Sequence, residues 1–552
     1  MRFIGKPKIT QMLSLDHSIS GWMDLGLDMN GGTERTPTWK WMSKMQLGEM
    51  LSKHDRVSTA LLYEDRIYSY GELENLSNRF AQMLLSLGVK AGESVSYLLG
   101  NDPLLVAGYI AGFKTGIVTN PLHDRLTADE IAYIVNHAGS KIVMVGESYA
   151  ATLAEALKTI NDVRVVCFGD AGALQGAIVP DLDSFPSATP DVNMKPDDVA
   201  LLLYTSGTTG RPKGVMLTHG NVMEGITAVA GGFDLKPSDR TLCIMSMSHT
   251  NALMFSTLPY LLSGGSVALC RRFSASHLWA LCERYEVNSF SASPTILSIL
   301  LEDETGKTGY AKLEFVKVAS APTSIDLSDR FHARFGQNLL LETYGLTETT
   351  SINVMNPLRG PRKPGSIGRP LAPSEIRIVD GDGKELPAGM IGEIEIRGPT
   401  VMKGYYKDPD ATAATIRNGW VRSGDLARFD DDGYIFIVGR KKETIIRGGE
   451  NISPLEVEQI IARHPAVREA AAVGIPDRIF GEVVAACVVR RDDVTESELI
   501  RHCGEYLASF KVPARIAFVD ELPRNPIGKF VRRALLPYFE DAGMPMTGKG
   551  SA

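Results

Sequence analysis

Between Tyr70 and Leu87 the apolar residues Leu73, Leu76, Phe80, Met83 and Leu84 recur at helical spacing, which predicts an amphipathic helix. Ahead of it, Ala60–Tyr63 and Arg66–Tyr68 read as strands around a turn; beyond it, Ser94–Leu98 is an apolar strand. Helices over Leu104–Thr115 and Leu126–His137 follow, then a strand at Ile142–Val145. The same rhythm runs through Val199–Tyr204, Asn221–Ala230 and Ser274–Tyr285. Strands that alternate with helices predict an α/β protein of layered sheets with helices on their faces.

After about Pro370 the texture changes. Short strand patterns at Ile376–Val379, Gly392–Arg397 and Tyr434–Val438 are separated by Gly, Asp and Pro turns, the mark of a small β-rich subdomain. Past Arg440 a compact α+β segment is predicted: helix Pro454–His464, strands Val467–Ile475 and Val483–Val489, helix Glu496–Ser509. The charged stretch Gly439–Glu443 between them reads as a hinge. The chain therefore divides into an N-terminal extension (1–45, holding Trp22, Trp39 and Trp41), a large domain (46–441, β-rich from about 370) and a small C-terminal domain (442–552).

One apolar stretch invites a membrane reading. No Asp, Glu, Lys or Arg occurs between Arg240 and Arg271, a span long enough to cross a bilayer. It also holds His249, Asn251, Pro259 and the Gly264-Gly265 pair. A buried helix, a Gly-Gly turn and a core strand at Ser266–Leu269 fit it better.

Composition narrows the class. At 552 residues the chain is too long for one ordinary domain, and 44% hydrophobic with 22% charged residues is a globular balance. A net charge of −7 without a basic stripe argues against nucleic acid as a partner. The six cysteines (Cys167, Cys243, Cys270, Cys282, Cys487, Cys503) have no zinc-type spacing and suit reduced thiols. The segment MRFIGKPKIT lacks a signal-peptide core, so a cytoplasmic protein without a transmembrane segment is expected.

The strongest chemical signal is Tyr204-Thr-Ser-Gly-Thr-Thr-Gly-Arg-Pro-Lys-Gly214, which follows the apolar strand Val199–Leu203 and precedes a predicted helix. Small residues let backbone N–H groups approach an anion, hydroxyls add donors, and Lys213 adds charge. It is not a Walker loop: Pro212 stands where that motif needs Gly, and Gly214 follows the lysine instead of Ser or Thr. The Gly-Lys-Thr at 306–308 has Leu301 in place of the first Gly. A polar surface loop is the bland alternative.

This segment resembles the signature loop of the adenylate-forming superfamily, which includes acyl- and aryl-CoA synthetases, peptide-synthetase adenylation domains and beetle luciferases. Further motifs follow in order from about residue 46 to 540. The resemblance implies that Thr205, Ser206, Gly207, Thr208, Thr209, Gly210 and Lys213 cradle phosphate. Tyr344-Gly-Leu-Thr-Glu348 resembles the second signature. There Tyr344 would stack on adenine, Thr347 would meet the α-phosphate, and Glu348 with Thr205 would hold Mg2+. Ser320, Ala321 and Pro322 stand where relatives carry a Gly-rich adenine turn, and Glu342, Thr343 and Gly345 complete the nucleotide contacts.

Downstream, Trp420-Val-Arg-Ser-Gly-Asp425 resembles the segment whose Asp binds the ribose hydroxyls; a carboxylate can accept both. Relatives often have Thr at Ser423. Arg440 would contact ribose or phosphate, and Lys442 falls at the hinge position, whereas Lys441 reads as a solvated charge. Gly448 and Gly449, in Arg447-Gly-Gly-Glu-Asn-Ile-Ser-Pro454, resemble the loop that admits the thiol arm, with Ser453 also a candidate helix cap. Phe510 lies in a segment that touches the coenzyme A nucleotide in some relatives, though Val512 and Ala514 replace their basic residues. Lys529, in Pro526-Ile-Gly-Lys529, matches the catalytic lysine that offsets charge during attack on the α-phosphorus.

The resemblance thus implies the adenylate-forming enzyme fold, with a mobile C-terminal domain. It implies an AMP-forming carboxylate–CoA ligase using ATP, Mg2+ and coenzyme A, with Lys529, Glu348, Lys213 and Thr347 as catalytic residues. An enzyme that loads a carrier protein, or a non-catalytic nucleotide binder, are the alternatives, and a homodimer is left open. The acid is not readable. The candidate pocket (His249, Thr250, Leu253, Tyr260, Ser320, Gly345) looks mostly apolar and favours a medium-chain, alicyclic or aryl acid, as in fatty-acid metabolism.

Overall fold

A computed structural model describes residues 45–191, 193–205, 211–303, 309–524 and 530–539. The three tryptophans of the N-terminal extension, Ser206–Gly210 and Lys529 lie outside the described residues.

Among the described residues the chain forms four sheets. A seven-stranded sheet has the parallel strands Val118–Pro121, Ser94–Leu98, Ile142–Gly146 and, at its edge, Arg164–Phe168. A nine-stranded sheet has parallel neighbours Leu340–Gly345, Phe315–Val318, Ser289–Ala292, Arg240–Cys243, Ser266–Leu269 and Thr59–Tyr63. Helices Tyr70–Ser86, Pro103–Thr115 and His219–Gly232 contribute with strands of both sheets to one continuous core. Burial on both faces is why these strands read as unbroken apolar runs.

Local chemistry sets the helix starts. Ser69 Oγ accepts from Glu72 N at 3.2 Å while Glu72 Oε2 accepts from Ser69 N at 2.8 Å, a reciprocal cap on helix Tyr70–Ser86. Thr127 with Glu130 and Thr495 with Glu498 repeat the device.

A third, antiparallel sheet carries Glu375–Val379, Gly392–Arg397, Trp420–Phe429 and Ile435–Arg440. The fourth, in the small C-terminal unit, pairs Val467–Asp477 with Gly481–Arg490 and adds Arg515–Phe518 in parallel. Helices Pro454–Ala462 and Glu496–Tyr506 cover it.

Two local expectations need correction. The phosphate segment does not lead from strand to helix: strand Lys213–Thr218 returns antiparallel to Val199–Thr205, and helix His219–Gly232 begins only afterwards. The two strands thus form an antiparallel pair on either side of the segment, with Thr205 paired to Lys213 at the base of this hairpin. The apolar stretch after Arg240 does hold a buried helix, but its first half, Asn251–Thr257, is a π-helix. No helix among the described residues is long and apolar enough to cross a membrane.

The parallel strands of the nine-stranded sheet end on one side. Arg240–Cys243 runs out toward His249, Phe315–Val318 toward Ser320, and Leu340–Gly345 toward Glu348. Ligands of open α/β sheets bind beyond such carboxyl ends, so the fold gathers three predicted site segments at one edge.

Candidate active site

The first cluster surrounds Asp425, whose side chain is 5% exposed. Strand pairing sets Asp425 opposite Arg440, and Arg440 Nε meets Asp425 Oδ1 at 2.8 Å. From the large domain, the Tyr344 hydroxyl donates to Asp425 Oδ2 at 2.7 Å. Burial and the Asp425 charge push the Tyr344 phenol well above its ordinary pKa, so it stays a donor; the same carboxylate raises Arg440. Ser423 gains a role the sequence did not assign: its hydroxyl donates to the Ile394 carbonyl at 2.7 Å and accepts from Asp425 N at 3.0 Å.

Next to Tyr344, a Cβ on Gly345 would stand 1.9 Å from the Ser351 carbonyl oxygen, so only glycine fits. Glu342 and Thr343 face the protein interior. Glu342 accepts from Asn356 Nδ2 at 3.2 Å, burial raises its pKa, and Thr343 donates to the Val318 carbonyl at 3.1 Å.

The second cluster surrounds Glu348, on the short turn Thr347–Thr349. Its Oε1 accepts from the Tyr405 hydroxyl at 2.7 Å, and its backbone carbonyl accepts from Met402 N at 2.9 Å. Lys213 Nζ lies 5.1 Å from the Tyr405 ring centroid and 3.9 Å from Asp408 Oδ2. Among the described residues no group of three or more His, Cys, Asp or Glu could hold a metal ion. Nucleotide sites commonly hold Mg2+ through one carboxylate together with phosphate oxygens, and Glu348 offers such a carboxylate. Glu348, with Thr205 at the end of strand Val199–Thr205, would be the residues to hold it.

The third cluster lies where the acyl pocket was expected. Asn251, 1% exposed, donates from Nδ2 to Ser320 Oγ at 3.3 Å, while its Oδ1 has no hydrogen-bond partner. His249 Nδ1 accepts from Asn251 N at 3.2 Å, and Thr250 is buried beside it. Ser320 adopts φ 78°, a left-handed conformation that favours glycine, so the Gly-to-Ser change leaves the turn strained. Ala321 and Pro322 are exposed. Leu253 (0% exposed) and Tyr260 (1%) pack within the apolar core. The Tyr260 hydroxyl is engaged by Ser289 and by Lys317 Nζ, the latter at 3.2 Å.

The hinge region is pinned on both sides. Lys441 is an exposed charge, as expected, and it also reaches the buried Glu393 at 3.1 Å. Glu443 pairs with Arg532 of the small domain at 2.8 Å. Lys442, between them, is exposed. Gly448 and Gly449 adopt φ 59° and 93°, and Gly448 N donates to the Phe480 carbonyl at 2.7 Å. Ser453 bonds the Val438 carbonyl and caps helix Pro454–Ala462, as expected. Phe510 packs against the small-domain core. Lys529 is outside the described residues, but its flanks are fixed, because Arg524 and Phe530 form an antiparallel bridge. The Arg524 guanidinium stacks 4.2 Å from the Phe530 ring, meets Glu469 at 2.7 Å, and donates 2.9 Å to Thr295 Oγ1 on the large domain.

The structure thus joins Tyr344, Asp425 and Arg440; Glu348 and Lys213; and His249 and Ser320. Sequence reasoning missed Tyr405, Asn251 and Arg524. The signal for Tyr405 was Gly404-Tyr405-Tyr406, an aromatic pair just before the Asp408-Pro409 helix start.

The profile of the AMP-binding enzyme family matches residues 51–406, and that of the AMP-binding enzyme C-terminal domain matches 456–529. The chain is 38% identical over 480 residues to a sulfoacetate–CoA ligase of Cupriavidus necator, covering 85% of this chain and 92% of that one. It is 35% identical over 481 residues to an oxalate–CoA ligase of Arabidopsis thaliana, covering 85% and 93%. Among solved structures, ATP-bound MatB from Rhodopseudomonas palustris superposes with a TM-score of 0.83 at 32% identity, covering 90% of this chain and 99% of that one. The fold, the ordered motifs and these matches place the chain in the AMP-binding enzyme family, with the architecture of its adenylate-forming CoA ligases.

Proposed function

We propose that this AMP-forming acid–CoA ligase acts on a short acid bearing a second polar or anionic group. The observation that carries the reading is the part-buried Asn251–Ser320 pair, a polar contact of an amide nitrogen with a hydroxyl at the expected pocket. The second N–H of Asn251 Nδ2 and the Ser320 O–H are donors, and an acceptor-only carboxylate or sulfonate suits donors of this kind. With Leu253 and Tyr260 in the core, the remaining pocket residues are more polar than the sequence suggested. Relatives named for sulfoacetate and oxalate act on acids of this kind. An aryl acid is the second reading, favoured by a feruloyl-CoA synthase of Amycolatopsis at 34% identity.

In the first half-reaction the acid's carboxylate oxygen attacks the α-phosphorus of ATP and pyrophosphate leaves. Carboxylic acids are already anionic near neutral pH, so no general base is required. The obstacle is anion meeting anion. Lys213 and Lys529 offset that charge, Thr347 contacts the α-phosphate, and Asp425 with Arg440 holds the ribose while Tyr344 flanks the adenine. Mg2+ bound through Glu348 and Thr205 would shield the phosphate charge. In the second half-reaction the thiol of coenzyme A attacks the acyl carbon and AMP leaves, with Gly448 and Gly449 beside the thiol arm and Lys442 as pivot.

A pyrophosphate-release assay over an acid panel tests the substrate reading. Sulfoacetate, oxalate and other short diacids should turn over at least tenfold faster, as kcat/KM, than octanoate or ferulate. A preference for octanoate would refute the polar-pocket argument, and one for ferulate would select the aryl reading.

A further inference from the structure

We infer that Tyr405 is a positioning residue that sets the Glu348 carboxylate and the Lys213 ammonium relative to each other. The inference rests on the reading above, in which those two groups face the triphosphate.

Three observations converge on this side chain. First, its hydroxyl donates to Glu348 Oε1 at 2.7 Å, which fixes one carboxylate oxygen. Second, Lys213 Nζ lies 5.1 Å from its ring centroid, within range of a cation–π contact. Third, its backbone cannot drift. Gly404–Tyr405 pairs antiparallel with Val215 and Met216 on the strand leaving the phosphate hairpin, and Tyr405 N donates to Thr412 Oγ1 at 2.9 Å.

The chain around Tyr405 ties the same parts together. Met402 N reaches the Glu348 carbonyl at 2.9 Å, Tyr406 N reaches the Gly214 carbonyl at 2.7 Å, and the Thr350 hydroxyl reaches the Thr400 carbonyl at 2.6 Å. Thr350 itself holds a left-handed φ of 65°, two residues beyond Glu348. The strap over 400–406 thus clamps the carboxylate turn to the base of the hairpin. Hydrogen bonds to a metal-ligating carboxylate commonly carry about 10- to 100-fold in metal affinity or activity.

The test is Tyr405→Phe, which removes one hydroxyl and keeps the ring. ATP binding is measured by calorimetry as a function of Mg2+ concentration, beside acid-dependent pyrophosphate release. The expected result is a roughly tenfold higher Mg2+ concentration for half-maximal ATP affinity, with KM for the acid within twofold and an unchanged melting temperature. In a Glu348→Gln background, Tyr405→Phe should add less than twofold, because the acceptor it orients has lost its charge. Equal Mg2+ curves for wild type and Tyr405→Phe, or fully additive effects, would overturn the inference. If the wild type releases pyrophosphate with no acid, the ligase reading fails, while the calorimetric comparison still decides the role of Tyr405.

Discussion

Tyr344 and Asp425, 81 residues apart in sequence, are joined by a 2.7 Å hydrogen bond between the phenol and Oδ2. Arg440 holds the other carboxylate oxygen at 2.8 Å. The group assigned to the ribose diol is therefore already oriented by its neighbours, and a diol would use its remaining lone pairs.

Asp425→Ala should accordingly raise KM for ATP by about 10- to 100-fold, the loss of hydrogen bonds to a charged group at about 1.5–3 kcal/mol each. KM for the acid should move far less. An ATP KM within twofold of wild type would show that the ribose lies elsewhere.

Ser320→Gly relieves a left-handed backbone, which is worth about 1 kcal/mol. It also removes the partner of Asn251 Nδ2 at the polar end of the pocket. The expected outcome is a melting temperature at or above wild type, with selectivity shifted toward bulkier acids. A variant that melts lower and keeps the same acid ranking would contradict both points.

Lys317 is fully buried and, among the described residues, no carboxylate pairs with it; its ammonium meets the Phe255 carbonyl at 3.0 Å and the Tyr260 hydroxyl at 3.2 Å. Burial lowers its pKa from 10.5 to about 7. Between those values the unfolded chain keeps a proton that the folded chain releases, so this site makes stability rise with pH across the window. The slope is on the order of 1.4 kcal/mol per pH unit. Denaturant unfolding at pH 7.5 and 9.5 should show that rise in wild type and its loss in Lys317→Met. An identical pH increment in both proteins would rule the account out.

Arg524 bridges Glu469 in the small domain to Thr295 in the large one, immediately before the segment that carries Lys529. Arg524→Ala should slow acid-dependent pyrophosphate release about tenfold, a cost near that of one charge-assisted bond. Thioester formation from added acyl-adenylate and coenzyme A should change less than twofold. Equal losses in both half-reactions would assign Arg524 a general structural role.

Much of the scaffold was legible because burial imposes a period. Ser94–Leu98 and Gly392–Arg397 begin and end where the sequence predicts. The phosphate hairpin was not, because the apolar residues of Lys213–Thr218 run straight into helix His219–Gly232, and strand and helix periods blur over so few positions. Depth was equally hidden. Leu253 and Tyr260 sit in the same apolar run as His249, yet two are core and one borders the site. The contact of exposed Lys441 with Glu393 was not legible, since that partner lies 48 residues upstream. The signature residues were readable as a set of motifs. Their supports, Tyr405, Asn251 and Ser423, are common residue types whose meaning comes only from tertiary placement.

The ion pairs on either side of Lys442 carry a mechanical consequence. Lys441 is moored to the β-rich subdomain through Glu393, and Glu443 to the small domain through Arg532. A swing that leaves both moorings intact is confined to the few backbone torsions around one residue. If the small domain turns about Lys442 as proposed, such a joint would act as an axle and not as a tether, and each face it presents would arrive at the cleft in a set orientation.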